Sequence, residues 1–187
     1  IHLSTFCRAV HGLSFTRQKL QQYAVNRDEH MARVWREKFA ARGWKAHQIL
    51  AVDETSKDMR MMRRSMGYAI RGSPPVGRSG LEPRGERISS LCSFDVNGFV
   101  AWSHNDGTYN TDGFLEAAQK VIYEKITPYP GPRSIVLIDN APIHRNYEFV
   151  RQCKMRGAIV LFTTPYCWDQ MPLDNSAFGR IKDWIRE

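Results

Sequence analysis

The chain has 187 residues, 42% hydrophobic and 25% charged, enough for one domain with a sizeable core and a small appendage. No apolar run approaches the roughly 18 residues of a membrane span and no secretory h-region is present, so no membrane partner is expected. The formal net charge of +8 is uneven: residues 1–50 carry nine Lys/Arg against three Asp/Glu, residues 51–100 eight against six, and residues 101–187 ten against ten.

A basic N-terminal third on a nearly neutral body suits a polyanion-binding arm joined to a catalytic domain; a solvated cationic helix surface is the plainer alternative. The chain opens at Ile1, and a preceding N-terminal piece is expected. Cys7, Cys92, Cys153 and Cys167 are widely separated with no C-x-x-C pair, which excludes zinc-ribbon and disulfide-framework readings. Scattered reduced cysteines fit an intracellular protein.

In chain order, residues 4–25 read as two short helices about Gly12, with Ser4 and Ser14 as N-caps. Residues 28–42 make a stronger helix, with Asp28 and Glu29 in its first turn, Met31, Val34, Trp35 and Phe39 on one face, and Gly43 at its end. "HQILAVDET" (47–55) is a mostly buried strand ending at Asp53, and residues 72–86, rich in Gly and Pro, are a loop. Residues 87–104 form two strands around Asn97-Gly98, a strong hairpin signal.

A helix over 111–126, capped by Asn110 or Thr111, is broken by "PYPGP" before the strand "SIVLID". A helix from about Tyr147 to Arg156 stops at Gly157, followed by the strand "AIVLF" and a last helix with Pro172 at its first position. From residue 47 the order is strand, hairpin, helix, strand, helix, strand, helix. It predicts an α/β fold: a ribonuclease-H-like mixed sheet with flanking helices, preceded by a small helical segment. The expected division is a helical region and linker over 1–45 and the sheet domain over 46–187.

Asp53 and Asp139 each follow an apolar β run. If those strands are parallel neighbours, the carboxylates meet at the sheet edge where α/β ligand sites form. Two such carboxylates repel, and a hard divalent ion such as Mg²⁺ or Mn²⁺ between them relieves the repulsion. Asp174, near the start of the last helix, is placed to supply a third. Taken singly, each acid also fits an Asx turn or a helix first turn.

"AVDETS", "VLIDNAPIH" and "TPYCWDQMPLDNSAFGRIKDW" resemble the three signature blocks of the mariner-like superfamily of DDE/D transposases. The 34 residues between Asp139 and Asp174 match the mariner-type interval. "GYAIRG", "RGERIS", "GTYNTDGF" and "PYPGPRSIVLIDN" extend the likeness over about residues 47–187. "STFCRAVHGLSFTRQKL" resembles, more weakly, the tail of the helix-turn-helix region that precedes these catalytic domains. Met171 stands where the family usually has Asn, and Thr164 and Trp168 stand where prolines are common.

The resemblance implies that Asp53, Asp139 and Asp174 are catalytic and ligate two metal ions, Mg²⁺ or Mn²⁺. It implies phosphodiester cleavage at transposon ends and 3′-OH strand transfer into target DNA. The implied partners are double-stranded DNA, as terminal inverted repeats and target, and a second copy of the protein. A nuclear location follows if the source is eukaryotic, a cytoplasmic one otherwise. Two other functions fit the same residues: a catalytically inactive DNA-binding relic or host-recruited derivative, and a structure-specific nuclease that cuts without joining.

Around the triad, Asn140 and His144 are candidates for supporting roles; His144 either orients a phosphate or water or simply opens the next helix. Strand alternation points Glu54 away from Asp53, making it a supporting or surface acid. Asp169 reads as a loop-capping acid. Arg8, Arg17, Lys19, Arg27, Arg63 and Arg64 are candidates for DNA phosphate contacts, with Arg60 and Arg71 extending the track. Packing is the default for the tryptophans, except that Trp168 is equally suited to stacking on a base.

Overall fold

The computed structural model describes residues 2–13, 24–57 and 87–181. Arg17, Lys19, Asp58, Arg60, Arg63, Arg64, Arg71 and Trp184 lie outside them, as does the Gly/Pro-rich stretch 72–86.

Five strands form one sheet: β1 (Ile49–Lys57), β2 (Ile88–Asp95), β3 (Gly98–Asp106), β4 (Ile135–Ile138) and β5 (Ile159–Phe162), in the order β3-β2-β1-β4-β5. The β1–β2 and β2–β3 pairs are antiparallel, while β1–β4 and β4–β5 are parallel. This is the mixed, ribonuclease-H-like sheet expected from the element order. The hairpin turns through Val96 and Asn97, where the Asp95 carboxylate accepts from the Asn97 N–H, and Gly98 (φ +121°) is already the first residue of β3.

β4 is a central parallel strand, so both its faces must be apolar, and all four residues of "IVLI" are buried. Each such side chain contributes about 1.5–3 kcal/mol by leaving water. On one face Leu50, Val52, Val136 and Ile138 pack against Phe114, Ile122 and Phe149. Those residues come from α3 (Thr111–Ala118), its π-helical continuation (Gln119–Tyr123) and α4 (Tyr147–Met155). Asn110 rather than Thr111 caps α3, its Oδ1 accepting from the Gly113 N–H at 2.8 Å. On the other face Ala51, Cys92 and Leu137 pack against Met171, Leu173 and Phe178. There the last helical segment opens as a π turn over Leu173–Ala177, directly after Pro172.

Of the two expected N-terminal helices, the first is α1 (Leu3–Gly12), and the second falls largely outside the described residues. α2 (Glu29–Ala41) begins one residue later than the periodicity suggests, because Asp28 is its N-cap and accepts from the Met31 N–H. Trp35 of α2 packs on the Met171–Leu173 cluster, and its indole N–H donates to the Phe162 carbonyl at 2.8 Å. Through Trp35, α2 is in contact with the core on this face of the sheet.

Candidate active site

The parallel β1–β4 ladder ends at Val52 opposite Ile138. The next residue on each strand is an acid, so Asp53 and Asp139 emerge side by side at the same sheet edge. Their strands part there: β1 continues to Lys57 paired only with β2, while β4 stops and the chain turns through Asn140–Pro142. The strand expected to end at Asp53 therefore runs past it, and backbone hydrogen bonds to β2 hold Asp53 in place.

Asp53 is 8% exposed, and its Oδ1 accepts from the Glu54 N–H. Burial pushes its carboxyl up to about 8, with the charges of Asp174 and Asp139 adding to the shift and the Glu54 N–H and His144 opposing it. Two other acids are therefore near enough to repel it. Asp174 is exposed on the π turn, and it lines a cleft of about 550 Å³ together with Asp139, Asn140, Tyr166 and Trp168.

Asp139 differs from Asp53 because it has a cationic partner. Burial raises its carboxyl, but the hydrogen bond and charge of His144 and the Ala141 N–H outweigh that and bring it below the usual carboxylate value. His144 is buried, with Nδ1 on Asp139 Oδ1, Nε2 3.3 Å from Glu54 Oε1, and its ring against Phe114 at 4.6 Å. Burial alone would lower the imidazole, but the two flanking carboxylates prevail and raise it to about 9. This environment favours the imidazolium at neutral pH, the form that donates from both nitrogens. Both hydrogen bonds to Asp139 use Oδ1, so Oδ2 has no hydrogen-bond partner among the described residues.

Glu54 points to the Val52 face, as alternation requires. His144 nonetheless reaches it around the end of β4 and links it to Asp139, a connection between residues 90 apart that no local pattern signals. Asp169, expected to cap its loop, receives two guanidinium groups: Arg27 at 2.6 and 3.1 Å and Arg36 at 3.3 Å. Arg27, a candidate for phosphate contact, has a side chain 4% exposed and engaged by Asp169 and Glu29. Arg8 is exposed on α1, its Nε 3.4 Å from the Ser4 carbonyl. Trp168 is partly exposed at the cleft, whereas Trp35 packs.

The loop between β5 and Pro172 is tied by side-chain contacts. Gln170 Oε1 accepts from both the N–H and the hydroxyl of Thr164 at 2.8 Å. Met171, in place of Asn, is buried in the core beneath.

Among the described residues no three His, Cys, Asp or Glu side chains already surround one point as a finished ion site. The donor chemistry still suits a hard divalent cation: the acids are oxygen donors, and the repulsion felt by Asp53 is what a cation would neutralise.

No family model matches the chain, and no curated protein matches it. Solved structures do. The mixed five-stranded sheet in this order, with helices packed on it, is a ribonuclease-H-like fold. The particular fold is that of the Mos1 mariner transposase: the Mos1 mariner paired end complex with Mn matches at TM-score 0.70 and 17% identity, covering 98% of this chain and 57% of that one. The Mos1 Strand Transfer Complex matches at TM-score 0.68 and 16% identity, over 98% of this chain and 56% of that one. The catalytic domain of Mos1 mariner transposase alone matches at TM-score 0.55 and 14% identity, over 92% and 76%. The chain spans a little over half the length of the first two, and the likeness is one of fold.

Proposed function

We propose that the chain is the catalytic part of a mariner-like DDE/D transposase, cleaving DNA at transposon ends and joining the freed 3′-OH to target DNA. The observation that carries this reading is the pair Asp53 and Asp139 beyond the last β1–β4 rung, with Asp174 close enough to repel Asp53. The three signature blocks in the sequence and the shared fold support it.

Asp53, Asp139 and Asp174 would hold Mg²⁺ or Mn²⁺, two ions per site. Bound there, the ions supply Lewis-acid chemistry for the attacking hydroxyl and the leaving 3′-oxygen. The protein's own residues prepare the site. β1 and β4 deliver two carboxylates at fixed spacing, and the His144 imidazolium keeps Asp139 ionised and oriented through Oδ1. Asn140 lines the same cleft and is placed to meet the backbone of a bound strand. The substrates are double-stranded DNA ends and target DNA, gripped by basic residues of the N-terminal region, and the working assembly is a homodimer. In a eukaryotic source it acts in the nucleus.

The test is calorimetric titration of Mn²⁺ into wild type, Asp139→Asn and Asp174→Asn, paired with Mg²⁺-dependent DNA cleavage. Metal binding and cleavage are expected to disappear in both variants, with DNA binding and fold preserved. Cleavage retained by Asp139→Asn would remove the assignment.

A further inference from the structure

The loop between β5 and Pro172 carries the chain to Asp174, and its one regular element is the short 3₁₀ turn Trp168–Gln170. It is gripped from outside at both ends, each time by the stretch that leads into and forms α2. At its start the Trp35 indole N–H donates to the Phe162 carbonyl at 2.8 Å. At its far end Arg27 forks onto Asp169, Nη1 to Oδ1 at 2.6 Å and Nη2 to Oδ2 at 3.1 Å, across 142 residues of sequence.

Two parallel N–H···O bonds from a planar guanidinium fix the carboxylate's orientation as well as its distance. The contact is sheltered, since the Arg27 side chain is 4% exposed and that of Asp169 24%. Arg36 adds a weaker, exposed contact to the same carboxylate. The ion pair also holds Asp169 below its usual value, chiefly through the Arg27 hydrogen bond. Asp174 lies five residues beyond Asp169, on the segment into which this loop leads.

We propose that Arg27 is a positioning residue for the third acid: by clamping Asp169 it sets the loop that presents Asp174 to Asp53 and Asp139. This rests on the reading of Asp174 as a catalytic carboxylate. It makes the segment before α2 a working part of the active site and gives Arg27 a role other than phosphate contact. Removing the arginine leaves Asp169 partly solvated and still in contact with Arg36, so the variant reports on the fork itself.

The test uses the full 187-residue chain, with Mn²⁺-dependent nicking of supercoiled plasmid DNA as the activity probe. Amide hydrogen exchange over residues 163–171 is the second readout. Arg27→Gln is expected to lower the nicking rate at saturating DNA by about tenfold or more, leave half-saturation by DNA within about twofold, and speed exchange at Thr164 and its neighbours. Arg27→Lys, which keeps the charge but loses the fork, should recover part of the rate. If Arg27→Gln does not fold, Arg27→Lys and Asp169→Asn carry the same test from either side of the pair.

An unchanged rate with unchanged loop exchange would overturn the proposal, as would a loss confined to DNA half-saturation, which would make Arg27 a phosphate contact after all. Asp174→Asn is the control. If it nicks like wild type, the catalytic reading falls and takes this proposal with it. If it is inactive while Arg27→Gln is fully active, only the positioning role falls.

Discussion

His144 joins two acids that belong to different faces of the sheet: its Nδ1 binds Asp139 beside the cleft, and its Nε2 lies 3.3 Å from Glu54 on the helix-covered face. The side chain is 3% exposed, so this positive charge is supported mainly by those carboxylates. Replacing His144 with alanine removes the cation and the packing on Phe114 together, and should destabilise the protein by about 3 kcal/mol. It should also raise the Asp139 carboxyl, followed by carbon-detected NMR titration. A stable variant with an unmoved Asp139 would show that the imidazole only fills space.

Glu54→Gln separates the two ends of that link. Glu54 is partly solvated and its contact with His144 is long, so the loss should stay below about 1 kcal/mol. The His144 titration should still fall from its raised position near 9, because one of its two carboxylates is gone. An unmoved histidine resonance would place Glu54 outside the network.

Asp53 and His144 both hold protons more tightly folded than unfolded, the first rising from 3.8 to about 8 and the second from 6.5 to about 9. The metal-free protein should therefore lose stability as pH climbs from 4 to 8 through Asp53 and from 6.5 to 9 through His144. Asp139 acts in the opposite sense, but only in acid, where its lowered carboxyl finally protonates. Asp53→Asn should flatten the curve between pH 4 and 8 and be more stable than wild type at pH 8. Urea unfolding across this range measures it, and parallel curves for the two proteins would refute a buried, proton-binding Asp53.

Gln170 supplies one oxygen to two buried donors of Thr164. Gln170→Ala strands both and should cost about 1–3 kcal/mol. Thermal unfolding gives the cost, and the Thr164 amide should lose its exchange protection. Persistent protection would mean that Pro165 and its neighbours hold the loop without the side chain.

Gly157 ends α4 at φ +75°, and a Cβ there would lie 2.9 Å from the Pro128 ring. Left-handed backbone and collision act together, so Gly157→Ala should destabilise by about 1–3 kcal/mol. A neutral substitution would require the Pro128 turn to move aside, visible as altered shifts at Tyr129, whose N–H donates to the Gly157 carbonyl.

What the sequence determined by itself is what local chemistry encodes. Apolar runs such as "IVLI" and "IVLF" favour strands, fully buried in the first case and half-buried in the second, and Asn110 and Gly157 punctuate helices. With the spacing of Asp53, Asp139 and Asp174, this was enough to foresee the mixed sheet and the elements that carry the acids. Only the tertiary structure decided which distant charges meet. Composition counts Arg27 as a cation without seeing Asp169, which the fold brings to it from 142 residues away. Likewise no local pattern shows that Trp35 of α2 packs against the core cluster that contains Met171 and Leu173. Pairings of this kind depend on how whole layers stack, and stacking follows from the summed burial of many side chains, which no short window of sequence contains.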